Sequence, residues 1–461
     1  DIDNEASTFN SSNADLVLPV HEDGTTTSCY RVAYAALYWG AILQDGDRST
    51  INQVKFKTPG SLNYTDITGE VIYDAIVNPI VAEDNEPGNT PYACFADITN
   101  IMTGLTDIEG TYTMANVNSS LGFNYSTGLA AGWTLFVIYE DQYLSRKSFT
   151  TFDGFSHIFD GHDEVVPVTG FTTPPAGHID LQFAYGALDG DKNKRATKLE
   201  INGKEVTTPL RSANKFFGSV IENTNGVVYP RNPSGTNTLG YDTGALEILD
   251  SEPEYIRNND TSATFAMQVA RGQADPIFVF FTAFAVDVIG PNIDLVKIVK
   301  DENGNEINGD NVILGQNIFY EINYQNTGTD DITSFTITDV LPENIDFDPN
   351  TDLDLSNAGG AMLQSYDPVT RTLIFSIPDE SVEIGDPNFV IRIAAQIVPN
   401  CYDLSQACSN EIINQAFATY TGILSGIGIE EQASYAAFEC FGSPQPTNFL
   451  VDISNCNFER T

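Results

Sequence analysis

Positive charge is what this sequence has least of: 21 Lys and Arg stand against 63 Asp and Glu, a formal net charge of −42 over 461 residues. Nucleic-acid backbones and anionic lipid surfaces need clustered basic side chains, so both are excluded as partners. Histidine is almost as scarce, with four residues at 21, 157, 162 and 178. No Ser-His-Asp triad can be argued from so few, and no GxSxG, HExxH, P-loop or dinucleotide-binding glycine pattern stands in a suitable strand or helix context. Long apolar runs are missing too. The longest, IFVFFTAFAV at 277–286, is too short to span a bilayer as a helix and reads as a central strand covered on both faces. None of the six cysteines forms a CxxC or sits near a histidine at zinc-ligand spacing, so thiolate metal sites are excluded.

The residues that are plentiful belong to sheets and tight turns. Hydrophobic residues make up 41%, with 28 Phe and 20 Tyr, punctuated by 36 Gly and 22 Pro. That combination excludes a disordered chain and predicts an all-β protein. The length suits two domains. From 21 to 290, strand patterns follow one another without a compositional break and predict a large N-terminal β-sandwich, for which a jelly roll is one arrangement. Near-helical spacing at 32–39 and 96–102 leaves room for short helices. Gly290-Pro291 marks the boundary, and 291–422 has the size and strand count of an immunoglobulin-like β-sandwich. Within it, 312–342 reads as two alternating strands joined by Asn-Thr-Gly-Thr-Asp-Asp, a hairpin. Residues 423–461 form a Cys-containing tail too small for its own core, to be pinned on the second domain by its own disulfide.

Residues 1–20 are polar and acidic, without a basic-then-apolar leader, and read as a mature or trimmed start. They form an extended arm whose apolar residues Leu16, Val17, Leu18 and Val20 suit a strand that pairs with an open sheet edge, in this molecule or as a donor strand in a neighbour; a frayed leader is the plainer reading. The even number of cysteines predicts three structural disulfides among Cys29, Cys94, Cys401, Cys408, Cys440 and Cys456, and an oxidising compartment.

Four constellations carry potential chemistry or binding. Asp189, Asp191 and Asn193 offer oxygen ligands at alternate positions directly after a strand, which suits calcium, although an ordinary acidic turn explains them as well. Lys297 shares a strand face with Leu295 and Val299. With Asn414 and a carboxylate such as Glu321 it can form an intramolecular isopeptide bond, burial neutralising the lysine; a surface lysine at a strand edge is the competing reading. His157 and His162 lie among Asp153, Asp160 and Asp163, where a polar loop is favoured over a metal or acid–base cluster. Trp39 and Trp133 sit in apolar strands, which favours core packing over a sugar platform.

GQNIFYEINYQNTG (315–328), TDVLP (338–342), the Cys401-x6-Cys408 loop, NQAFATY (414–420) and PTNFLVD (446–452) resemble the repeat domain of SprB-type gliding-motility adhesins and related surface proteins of Bacteroidetes. AALYWG (35–40), GWTL (132–135), FDGF (152–155), NKFF (214–217) and GYD (240–242) are similar to a module from the N-terminal end of such proteins. The resemblance implies type IX export and a role in attachment or filament structure. No segment after Cys456 resembles the secretion domain of that pathway, which implies a fragment of a longer adhesin or an independent subunit.

The expectation is therefore an extracellular, non-enzymatic cell-surface protein, part of an adhesin or a filament subunit involved in attachment or gliding. Its partners are other copies or neighbouring modules, with surface glycans possible and no membrane insertion. No cofactor is required. A calcium-dependent carbohydrate-binding module is the alternative.

Overall fold

The computed structural model describes residues 1–20, 30–79, 90–122, 129–141, 144–193, 195–223, 230–248, 255–271, 276–407, 409–437 and 444–456. The chain divides into two compact units, Asp1–Val288 and Ile289–Thr461. Both are built from strands, with short helical turns at Thr99–Thr103 and Cys401–Gln406. Among the described residues no helix is long and apolar enough to cross a membrane.

Among the described residues, the first unit stacks four sheets. The long strand Tyr30–Ile42 shows why: its residues alternate between two apolar clusters, Leu37 and Trp39 on one side, Ala36 and Tyr38 on the other. A sheet apolar on both faces must be covered on both. On one side lies the sheet that contains Ser12–Leu16 and Gly110–Ala115; on the other lies the sheet of Leu181–Gly190 and Ile277–Asp287. Every residue of Ile277–Asp287 is buried, as the 277–286 run requires, because a fourth sheet containing Ser262–Val269 packs on its far face. Close approach in the middle layer depends on Gly132, where a Cβ would lie 2.4 Å from the Tyr241 ring. The 32–39 segment is strand, since burial on two faces overrides its near-helical spacing; the turn near 96–102 is helical at Thr99–Thr103.

The N-terminal segment is integrated rather than free. Ser12–Leu16 pairs antiparallel with Gly110–Ala115 on one edge and with Arg231–Asn232 on the other. Leu18 is buried and its N–H donates to Glu109 Oε1 at 2.7 Å, whereas Val17 and Val20 are exposed. Of the two pairings expected of an arm, the one within the molecule is taken.

In the second unit, one sheet runs Ile293–Lys300, Asn317–Asn326, Phe389–Ile397, Ile345–Asp346. The opposing sheet runs Met362–Asp367, Thr372–Ser376, Ile332–Val340, Ala416–Gly422, Gly428–Ala433. The 312–342 hairpin is corrected here: Asn317–Asn326 and Ile332–Val340 belong to opposite sheets. The turn between them crosses over the sandwich end because it is held from outside the strand pair. Thr327 and Thr329 N–H groups donate to the carbonyls of Asn292 and Gly290, and a Cβ on Gly328 would meet Asn292 N at 2.4 Å. The buried Asp330 carboxylate accepts from the N–H groups of Leu424 and Ser425 at 3.0 and 2.8 Å.

A third, three-stranded sheet takes in the tail. Thr447–Val451 lies between Asn311–Val312 and Glu411–Asn414, and inserts Phe449 and Val451 into the core. The tail is thus part of the fold, and its disulfide joins Cys401 to Cys456, not Cys440 to Cys456. Cys401 opens a short helix beside the end of the Thr447–Val451 strand, with Cα atoms 5.6 Å apart, inside the normal reach of a disulfide. Cys94 is corrected as well. Its thiol is free, buried opposite Trp39, and pushed up in pKa by burial. Cys29, Cys408 and Cys440 lie outside the described residues.

Candidate functional site

The inner faces of the second unit are apolar by strand alternation, and Lys297, Asp339 and Asn414 are among the positions that carry polar groups instead. On Ile293–Lys300 the core-facing series is Ile293, Leu295, Lys297, Val299; on Ile332–Val340 it includes Phe335, Ile337, Asp339. Asn414 ends Glu411–Asn414, two residues after buried Ile412 and two before buried Ala416. The three converge from three sheets.

Lys297 and Asp339 have no exposed surface, and Asn414 is 3% exposed. Lys297 Nζ donates to Asp339 Oδ2 and to Asn414 Oδ1. Asn414 Nδ2 donates to Asp339 Oδ1 and to the Val340 carbonyl, both at 2.8 Å. A carbonyl only accepts, so Val340 orients the carboxamide with its oxygen toward the lysine. Thr447 Oγ1 donates to the Asn414 backbone carbonyl at 2.9 Å, and the Tyr320 ring lies 4.4 Å from Lys297 Nζ. Among the described residues the buried Tyr320 hydroxyl has no hydrogen-bond partner, and its pKa is raised well above the ordinary value by burial. Desolvation lowers the pKa of Lys297, opposed by the Asp339 charge beside it. An amine, a carboxylate and a carboxamide thus meet in a site closed to water: a nucleophile, a proton carrier and an acyl group.

Glu321, expected as the carboxylate, is elsewhere. Lys297 stands opposite Ile322 across the strand pair, so Glu321 projects to the other face, where it pairs with Lys300 at 2.7 Å and approaches Arg392 at 3.6 Å. Asp339 occupies the place expected for it. Its signal was in FTITDV, an acid at a core-facing parity in an alternating strand.

The calcium candidates lie at the end of Leu181–Gly190. Asp189 has φ 70° at a register shift between Leu188 and Gly190, a bulge position, while Asp191 and Asn193 are exposed. Among the described residues no group of three or more His, Cys, Asp or Glu is placed to share a metal ion. His157 and His162 each stack on Phe159, and His157 also on Phe278; burial first, and then the charge of His162, lowers His157 to about 4. Trp39 is wholly buried, its indole donating to the Ile51 carbonyl at 2.8 Å; Trp133 is partly buried and donates to Ser12 Oγ.

Sequence reasoning also missed a buried hub in the first unit. Arg211 pairs with Glu222 at 2.8 Å and Asp242 at 3.0 Å and donates to the carbonyls of Phe216, Val220 and Thr243. Asp242 in turn accepts from the N–H groups of Ser219 and Val220. This network holds the irregular 206–220 segment, which a core of its own does not explain, and gives the NKFF and GYD motifs a structural role.

No protein-family model matches the sequence, and no curated protein matches it. Distant likenesses exist among solved structures. They include BcpA, the major pilin subunit of Bacillus cereus (13% identity, 59% of this chain and 69% of that one, TM-score 0.26). The C-terminal domain of the Streptococcus pyogenes antigen I/II-family protein AspA shows 11% identity over 67% of this chain and 99% of that one, with a TM-score of 0.23. A protein from Corynebacterium diphtheriae named as a putative membrane anchored protein shows 9% identity over 95% of this chain and 86% of that one, with a TM-score of 0.24.

Proposed function

We propose that the chain is a non-enzymatic structural or adhesive module of a bacterial cell surface, working among copies of itself or neighbouring modules. The observation that carries this reading is the Cys401–Cys456 disulfide, which fastens the segment after the last strand to the body of the second unit. Such a bond persists in an oxidising, extracytoplasmic setting and resists the peeling of an end strand. The strongly acidic composition suits a crowded exterior by keeping copies from associating indiscriminately. The sequence motifs that resemble those of gliding-motility adhesins support the narrower reading of attachment or gliding after type IX export. Polymerisation by strand donation would require release of Ser12–Leu16, which is paired on both edges.

Immunogold electron microscopy of intact producing cells, combined with thiol alkylation before lysis, tests the proposal. Surface label with Cys401 and Cys456 protected from alkylation is expected; label confined to the cytoplasm with both thiols reactive overturns it.

A further inference from the structure

We propose that Lys297 and Asn414 are joined by an intramolecular isopeptide bond that the second unit forms by itself, with Asp339 as acid and base. The contacts supply every participant. Lys297 Nζ touches the Asn414 carboxamide oxygen, and each Asp339 oxygen serves one reactant, Oδ2 the amine and Oδ1 the amide nitrogen. All three side chains are excluded from water. An unreacted ion pair is a poor occupant of such a place, because the desolvation of both charges rivals their attraction and apolar residues would serve stability as well.

The reaction balances with the groups present. A proton passes from the Lys297 ammonium to Asp339, leaving a neutral amine and a carboxylic acid. The Nζ lone pair attacks Asn414 Cγ, and the carbonyl π pair moves onto Oδ1. Asp339 delivers its proton to Nδ2, the carbonyl re-forms, and the C–N bond breaks with loss of ammonia. Asp339 then removes the remaining extra proton from Nζ and ends protonated beside a neutral amide. Burial, which lowers the Lys297 pKa, favours the first step. The surrounding fold acts by holding the reactants in contact.

The bond has a mechanical consequence when taken with the disulfide. Covalently, a pull entering at residue 289 runs to 297, crosses to 414, returns to 401 and crosses to 456. Residues 298–400 fall outside that path. The bond alone shields 298–413 and the disulfide alone 402–455; together they shield 298–400 and 415–455, more of the sandwich than either does alone.

Intact-mass measurement of the purified, fully reduced and denatured full chain tests the proposal, followed by proteolytic mapping. The expected mass is lower than the sequence sum by one ammonia, with a branched peptide joining Lys297 to Asn414. Asp339→Ala and Asn414→Ala carry the full mass, and the wild-type measurement decides even where these variants fold poorly. A wild-type mass equal to the sequence sum overturns the bond. So does an ammonia deficit that maps to an Asn-Gly pair such as Asn303-Gly304. The readout is independent of where the protein resides, so its failure leaves the surface reading standing.

Discussion

Asp339 Oδ1 accepts a hydrogen bond from Asn414 Nδ2 at 2.8 Å, linking two of the three sheets of the second unit at a point closed to water. The same carboxylate takes Lys297, so one side chain fixes both partners. Asp339→Ala therefore removes the proton carrier and leaves a buried amine and carboxamide without it. A loss of about 3–5 kcal/mol is expected, the scale for breaking a buried pair from one side. Urea titration of wild type and variant reads it as a lower midpoint, with a steeper slope for the variant because its unfolded chain, without the cross-link, exposes more surface.

Single-molecule stretching separates covalent from non-covalent closure. With the disulfide intact, wild-type extension of the second unit omits residues 298–400. Asp339→Ala is expected to lengthen the released contour by about 30 nm, at roughly 3.4 Å per extended residue. Equal contour lengths in the two proteins would show that no bond spans 297 and 414.

In the first unit, Arg211→Lys is expected to destabilise nearly as much as Arg211→Ala. The guanidinium fork serves two carboxylates and three carbonyls, and a lysine ammonium with three donors cannot reproduce it. A loss of about 3 kcal/mol or more is expected for either. Recovery of wild-type stability by the lysine variant would reduce the hub to simple charge pairing.

His157 predicts a pH effect. Its pKa falls from 6.5 in the unfolded chain to about 4 in the folded one. Between those values the unfolded state binds more protons, so stability falls as pH falls through that window. Allowing for partial solvent access, the loss approaches about 2 kcal/mol by pH 4. Denaturation of wild type and His157→Gln at pH 7 and pH 4.5 should show the variant losing less on acidification; parallel losses would assign the effect to other groups.

Alternation, a local property with a period of two residues, made much of this protein legible from its sequence. It revealed the strands and the doubly covered run at 277–286. It also put Lys297 on the face of Leu295 and Val299. Local pattern carries no information about which strand faces which. Glu321 and Asp339 are both acids on alternating strands, and only the opposition of the two sheets points one outward to Lys300 and the other inward to Lys297. Likewise, an even count of cysteines could not pair Cys401 with Cys456 across 55 residues, and two apparent hairpin strands were separated by a turn tied to residues 290–292. Tertiary structure decided these because they depend on packing between segments distant in the chain, where contacts are set by shape and burial rather than by neighbouring residues.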